Sequence, residues 1–72
     1  MEWWFSKKST GVVAKTIDDT PSGLGYMIIK GGGKFWVEAY RAGGAKARLP
    51  WNQFDELEQA IAWVEAREGR SE

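Results

Sequence analysis

Between Lys34 and Leu49 the chain alternates charged and aromatic residues with small apolar ones. Lys34, Trp36, Glu38 and Tyr40 take every second position, and Phe35, Val37 and Ala39 lie between them. After Ala42-Gly43-Gly44 the pattern resumes, with Lys46 and Arg48 set among Ala45, Ala47 and Leu49. A period of two puts two chemistries on the two faces of a β-hairpin. Aromatic rings flanked by lysine and arginine stack on flat groups and pair with anions. That is the chemistry of a docking surface for nucleic acid or for a protein, not of bond making. Trp36 and Tyr40 would be its centre. Two arrangements stay open: the pair is exposed, or it is covered by Trp3, Trp4 or Phe5.

Charge selects the register of this hairpin. A three-residue loop at 42–44 sets Val37 opposite Leu49, Ala39 opposite Ala47 and Glu38 opposite Arg48. A two-residue loop at Gly43-Gly44 sets Arg41 against Lys46 and Glu38 against Leu49. Like charges directly opposite are destabilising, and a slip of one residue exchanges the faces. The three-residue loop is therefore expected, with a glycine supplying its positive φ. Lys34, Trp36, Glu38, Tyr40, Lys46 and Arg48 then share the outward face.

The chain offers little for catalysis. It has no Cys and no His, which removes disulfides, thiol nucleophiles, the usual zinc sites and the commonest general base. Ser6, Ser9, Thr10 and Ser22 have only lysines or carboxylates as candidate bases. Glu56, Glu58 and Glu65 read as a solvated helix face. Asp18-Asp19 lacks the ligand spacing of a calcium loop and reads as turn chemistry. In Gly31-Gly32-Gly33-Lys34 the lysine is followed by Phe35 and a strand, whereas a phosphate-binding loop needs Ser or Thr and a helix there. No enzyme activity, metal or small-molecule cofactor is expected.

The elements that would position the face follow from periodicity. Trp3 to Ser6 is either a first strand or an arm laid over the core. Gly11 to Ile17 is β-branched and reads as a strand. Asp18 to Gly23 is a turn, and Leu24 to Lys30 the next strand. The glycines 31–33 leave the next register open. A three-residue loop pairs Ile29 with Phe35 and Met27 with Val37, which puts Tyr26, Ile28 and Lys30 outward; a two-residue loop reverses this. Asn52 is placed to cap a helix over about 52–68. Phe54, Leu57, Ala60, Ile61 and Val64 form its apolar stripe. Trp63 lies at the stripe's edge, and Gly69 is a natural stop. Residues 69–72 are expected to fray. The fold class is α+β: a small twisted antiparallel sheet of three to five strands over about 3–49, with one C-terminal helix on one face. The expected helix-side packing sets Phe35, Val37, Ala39, Ala47, Leu49, Met27 and Ile29 against Phe54, Leu57, Ile61 and Val64. Trp51 and Trp63 are expected to close the ends of the core.

Seventy-two residues make a single domain, and a chain this short buries only about 60% of its unfolded surface. Five Trp, three Phe and two Tyr supply bulk in place of disulfides; a homodimer is another route to stability. No apolar run suits a signal peptide or a membrane span, so the expectation is a cytoplasmic protein without membrane contact. Net charge is zero but divided. Residues 1–48 hold eight bases and four acids, a surplus of +4. Residues 49–72 hold two bases and six acids, a surplus of −4. Such polarity orients a protein on a partner.

Gly33-Lys34-Phe35-Trp36, then Arg41, Arg48-Leu49 and Phe54-Asp55-Glu56-Leu57-Glu58-Gln59-Ala60, resembles two related patterns. One is the three-stranded-sheet-plus-helix DNA-binding domain of plant ethylene-response-factor proteins. The other is the arm-binding domain of phage-type integrases. The likeness covers about residues 33–66, roughly half of the chain. It implies a sheet entering the major groove, with Lys34, Trp36, Arg41, Lys46 and Arg48 as contacts. Pro50-Trp51-Asn52 departs from those families, as do the acidic helix and the zero net charge. The strand–strand–helix pattern is also similar to that of small phage and mobile-element proteins, including anti-CRISPR inhibitors. That likeness implies a plug on a host protein complex. The expected partner is therefore nucleic acid, or a protein complex that handles it.

Overall fold

The structure, a computed structural model, describes residues 2–17 and 20–69. Five strands pair with their sequence neighbours into one sheet, in the order β1-β2-β3-β4-β5. They are β1 (Trp3–Phe5), β2 (Gly11–Thr16), β3 (Gly25–Gly31), β4 (Lys34–Tyr40) and β5 (Lys46–Ala47), and every pair is antiparallel. One helix, α1 (Leu57–Glu68), follows and packs on β3 and β4. The expected α+β layout is thus observed, at the upper limit of strand number. The N-terminal aromatics form an edge strand beside β2 and do not lie over the sheet. The expected turn over Asp18-Asp19 and the expected fraying of Arg70-Ser71-Glu72 lie outside the described residues.

The β4–β5 hairpin has the loop that charge selects. Ala39 pairs with Ala47 and Tyr40 with Lys46. Arg41 N–H donates to Ala45 O at 2.7 Å, and Gly44 N–H to Arg41 O at 2.9 Å. Gly43 and Gly44 sit at φ +93° and +94°, a region closed to most side chains. β5 ends at Ala47, so the expected Val37–Leu49 and Glu38–Arg48 pairs do not form. Asn52 takes over: Val37 N–H donates to its Oδ1 at 2.7 Å, and its Nδ2 donates to Val37 O at 3.3 Å. One residue pair further, Phe35 and Phe54 exchange backbone bonds of 2.8 and 2.7 Å. The edge of β4 beyond β5 is therefore satisfied by one side chain and one passing residue.

That use of Asn52 corrects the helix start. Asn52 does not cap α1, which begins at Leu57 and not near 52. Glu56 is the N-cap, and its N–H donates to Gln59 Oε1 at 3.1 Å. This is the return half of a capping box.

The β3–β4 loop decides which residues face α1. It has two residues, Gly32 and Gly33, at φ +60° and +77°. Two successive positive φ values match the twist of the flanking strands in a tight hairpin. Ile28 therefore pairs with Val37 and Tyr26 with Ala39. Tyr26 and Ile28 are buried on the helix side, and Met27 and Ile29 face outward, contrary to the three-residue alternative. Val13, Ala14, Val37, Ala39, Ala47, Ala60 and Val64 complete the buried core. Phe35, Leu49, Phe54, Leu57, Ile61 and Trp63 pack around it. Trp63 closes one end, its ring 5.9 Å from that of Phe54. Trp51 does not close the other end, being 84% exposed.

Candidate docking face of the sheet

The pairing places the outward residues in rows. Trp4, Lys15, Met27 and Glu38 form one row across four strands. Val12, Ile29 and Trp36 form the next. Gly25, Tyr40 and Lys46 form a third on the other side of Glu38. No described element packs on this face: α1 contacts β3 and β4 from the opposite side, where Tyr26, Ile28, Val37 and Ala39 are buried. An antiparallel sheet ordinarily turns a polar face to water. Here the outer face carries Val12, Met27, Ile29, Trp36 and Tyr40, interrupted by a few charges.

Glu38 organises the centre. Trp36 Nε1 donates to its Oε2 at 3.3 Å, and the Tyr40 hydroxyl to its Oε1 at 3.0 Å. Lys46 Nζ lies 3.9 Å from Oε2. One carboxylate therefore holds two aromatic side chains, at i−2 and i+2, and a base on the neighbouring strand. The hydrogen bond to Glu38, then partial burial, then the carboxylate charge raise the Tyr40 pKa above 10.0. The hydroxyl stays a donor at neutral pH. The Trp36 ring lies over Gly31, where an added Cβ would sit 3.0 Å from its Cη2. The glycine before the turn thus gives the indole a flat seat. At the far end of the long row, Lys15 Nζ stands 5.2 Å from the centre of the Trp4 ring, within cation–π range.

The residues expected to form the site separate into a centre and a rim. Trp36, Tyr40 and Lys46 come together on Glu38. Lys34 is exposed and ion-paired with Asp55. Arg41 and Arg48 are exposed, Arg41 entering the hairpin loop and Arg48 beyond the end of β5. Trp4, Lys15, Met27 and Ile29 were not expected on this face. The two-residue loop puts Met27 and Ile29 there, opposite Glu38 and Trp36. A shallow groove runs along the β5 side, lined by Trp36, Glu38, Lys46, Leu49, Pro50 and Trp51 among others.

A second carboxylate lies on the helix side. Glu68, in the last turn of α1, is 6% exposed. It accepts from Ser22 N–H at 3.0 Å, from Ser22 Oγ at 2.5 Å and from the buried Tyr26 hydroxyl. Burial by itself would raise its pKa. The hydrogen bonds from Ser22 and Tyr26 and the nearby Arg67 charge outweigh burial, and the pKa is lowered. Burial, followed by the Glu68 hydrogen bond and charge, raises the Tyr26 pKa. This cluster fastens the end of α1 to the turn before β3. Glu68 continues the stripe of Leu57, Ala60, Ile61 and Val64 by one turn. An acid in register with an apolar stripe was the signal that could have revealed it.

Among the described residues no group of three or more Asp or Glu side chains is placed to hold a metal ion. No described helix is long and apolar enough to cross a membrane. Comparison with family models, with curated proteins and with solved structures finds no match. What the face does has to be argued from its chemistry.

Proposed function

We propose that this protein is a non-catalytic binding module whose open sheet face docks on nucleic acid or on a protein complex that handles it. The observation that carries the reading is the outer face itself: Trp36 and Tyr40, held by Glu38, stand unroofed beside Lys46 and in the same sheet face as Trp4 and Lys15. Rings fixed in advance lose little freedom on binding, which is how aromatic anchors give affinity. Lys34, Arg41 and Arg48 stand at the rim, where charge steers approach more than it holds.

Titration with duplex and single-stranded DNA and RNA over a range of salt tests the nucleic-acid arm. Phosphate contacts make affinity fall steeply as salt rises. Absence of binding to all four at low salt removes that arm.

One feature favours a protein partner and with it the second reading, a small inhibitor of a host defence complex, anti-CRISPR-like in mode. Glu38 sits in the middle of the face, and Lys46 and Lys34 already face carboxylates. A central acid repels phosphate but suits a mixed protein surface. Capture of partners from a host lysate with and without nuclease separates the two. Retention after nuclease supports the inhibitor, and loss of every partner supports the nucleic-acid module.

A further inference from the structure

The two edges of the sheet are built differently. On the far side, β5 has two residues, is followed by Arg48 and Pro50, and leaves the rest of β4 to Asn52 and Phe54. On the near side, β1 is paired, among the described residues, on one flank only, with β2. Ser6 N–H donates to Val13 O at 2.9 Å, and Ile17 N–H donates to Glu2 O at 3.2 Å. Bonded and non-bonded residue pairs alternate along an antiparallel ladder. Trp4 is therefore the β1 residue that bonds to β2, opposite Lys15. Trp3 and Phe5 turn their N–H and C=O groups to the open flank. Trp4 is 44% exposed and Phe5 52%. Within β1 there is no charge, proline or bulge of the kind that protects edge strands; its short length is its one safeguard.

We propose that β1 is a homodimerisation edge, adding to β1 of a second copy in antiparallel fashion about a two-fold axis at Trp4. The edge is self-complementary. Trp3 and Phe5 lie one residue either side of Trp4, so an antiparallel copy sets Trp3 of one chain opposite Phe5 of the other, twice. Every outward N–H then meets a C=O. The two Trp4 residues become a non-hydrogen-bonded pair, the closer of the two spacings, on the outer face. Trp3 and Phe5 of opposite copies meet on the helix side. Aromatic pairs across strands stabilise such contacts, and the exposed Phe5 gains a cover. A two-fold contact uses up β1 in both copies, and the far strand offers only two residues before Arg48 and Pro50, so pairing ends at two copies and does not run on into a filament.

A separate observation agrees. Among the described residues, four of the nine buried apolar ones are alanines: Ala14, Ala39, Ala47 and Ala60. So small a core is the case in which short chains gain stability by association. The Trp36, Tyr40, Glu38 and Lys46 centre of the docking face stays open in this arrangement, while the outlying Trp4 enters the dimer contact. Phe5→Pro, on the helix side, therefore tests pairing without touching the docking face, and Trp4→Lys alters both.

Sedimentation equilibrium and amide hydrogen exchange, each over a wide range of protein concentration, test the pairing. A concentration-dependent dimer is expected. The Trp3 and Phe5 amides should exchange freely in dilute protein and become protected as the dimer forms, while the Trp4 amide is protected throughout. Phe5→Pro removes an N–H that β2 does not use, so the circular dichroism should be kept while dimer affinity falls at least tenfold. Trp4→Lys places like charges across the two-fold axis and should also dissociate the dimer, which covers the case of a Phe5→Pro chain that fails to fold. A monomer at every concentration, with the Trp3 and Phe5 amides always unprotected, overturns the proposal. So does a dimer that survives both substitutions, since its interface then lies elsewhere.

Discussion

Glu38 and Glu68 each accept a tyrosine hydroxyl, and they stand on opposite faces of the same sheet. Glu68 is sealed between α1 and the turn before β3, with Ser22 and Tyr26 filling its acceptor sites. Glu38 is partly open, and its ligands Trp36, Tyr40 and Lys46 are themselves in reach of solvent. The same chemistry therefore serves two ends. Where water is excluded, removing the carboxylate strands the buried Tyr26 hydroxyl, and the fold suffers. Where water is present, the freed donors turn to solvent, and what is lost is the fixed position of two rings. Stability lives on the inner face, and the proposed recognition on the outer one.

The sharpest break between the two comes from truncation. Glu68→Ala should cost roughly 3 kcal/mol of unfolding free energy, because the Tyr26 hydroxyl is left buried and unpaired. Tyr26→Phe, which keeps the ring, should cost about 1 kcal/mol. Glu38→Ala should stay within about 0.5 kcal/mol of the parent, as exposed pairs usually do. Urea denaturation of the three variants checks this order. Equal losses for the two glutamates would dissolve the distinction.

Next comes the effect on binding. Trp36→Ala and Tyr40→Ala should each weaken partner binding by about 2 kcal/mol, some thirtyfold, with the circular dichroism unchanged. If Trp36→Ala unfolds the chain, the indole belongs to the core. Gly31→Ala is a gentler form of the same test. Its φ is ordinary, but the new methyl meets the Trp36 ring. Indole fluorescence should shift and binding should weaken several-fold, with a stability cost of about 1 kcal/mol or less.

Titration sharpens the comparison further. The folded pKa of Glu68 is lowered. Its contribution is therefore fully present above the unfolded carboxylate value and is lost as pH falls through the folded one. Glu68→Gln should flatten the acid limb of a stability–pH curve. Tyr26 and Tyr40 are both raised above 10.0. Their contributions are full below that value and fade as pH climbs through the folded pKa values. Glu38→Gln should bring tyrosinate absorbance from Tyr40 in at lower pH and leave Tyr26 where it was. The smallest effect belongs to Lys34→Ala. Its ion pair with Asp55 is exposed at both ends, so about 0.5 kcal/mol or less is at stake.

Much of this arrangement is written in the chain. The alternation of Lys34 to Tyr40 fixed which residues of β4 face outward, and keeping Arg41 from standing opposite Lys46 chose the loop at 42–44. The spacing of Leu57, Ala60, Ile61 and Val64 announced the helix and its inner face. These signals are local: each compares residues a few positions apart, where sterics and charge act without help from the rest of the fold. Three features depended on distant parts of the chain. Three adjacent glycines carry no side chains to set a register, so the two-residue turn and the burial of Tyr26 and Ile28 were settled by packing against α1. Asn52 has the chemistry of a helix cap, but the unpaired backbone of Val37 lay closer at hand once β5 had ended at Ala47. Glu68 reads as a surface acid until α1 docks and brings it to Ser22 and Tyr26, more than forty residues earlier in the chain. Local periodicity determined the elements and the faces of β4 and α1. Which polar group finds which partner was decided only in the assembled structure, because burial makes the nearest unsatisfied donor or acceptor costly to ignore.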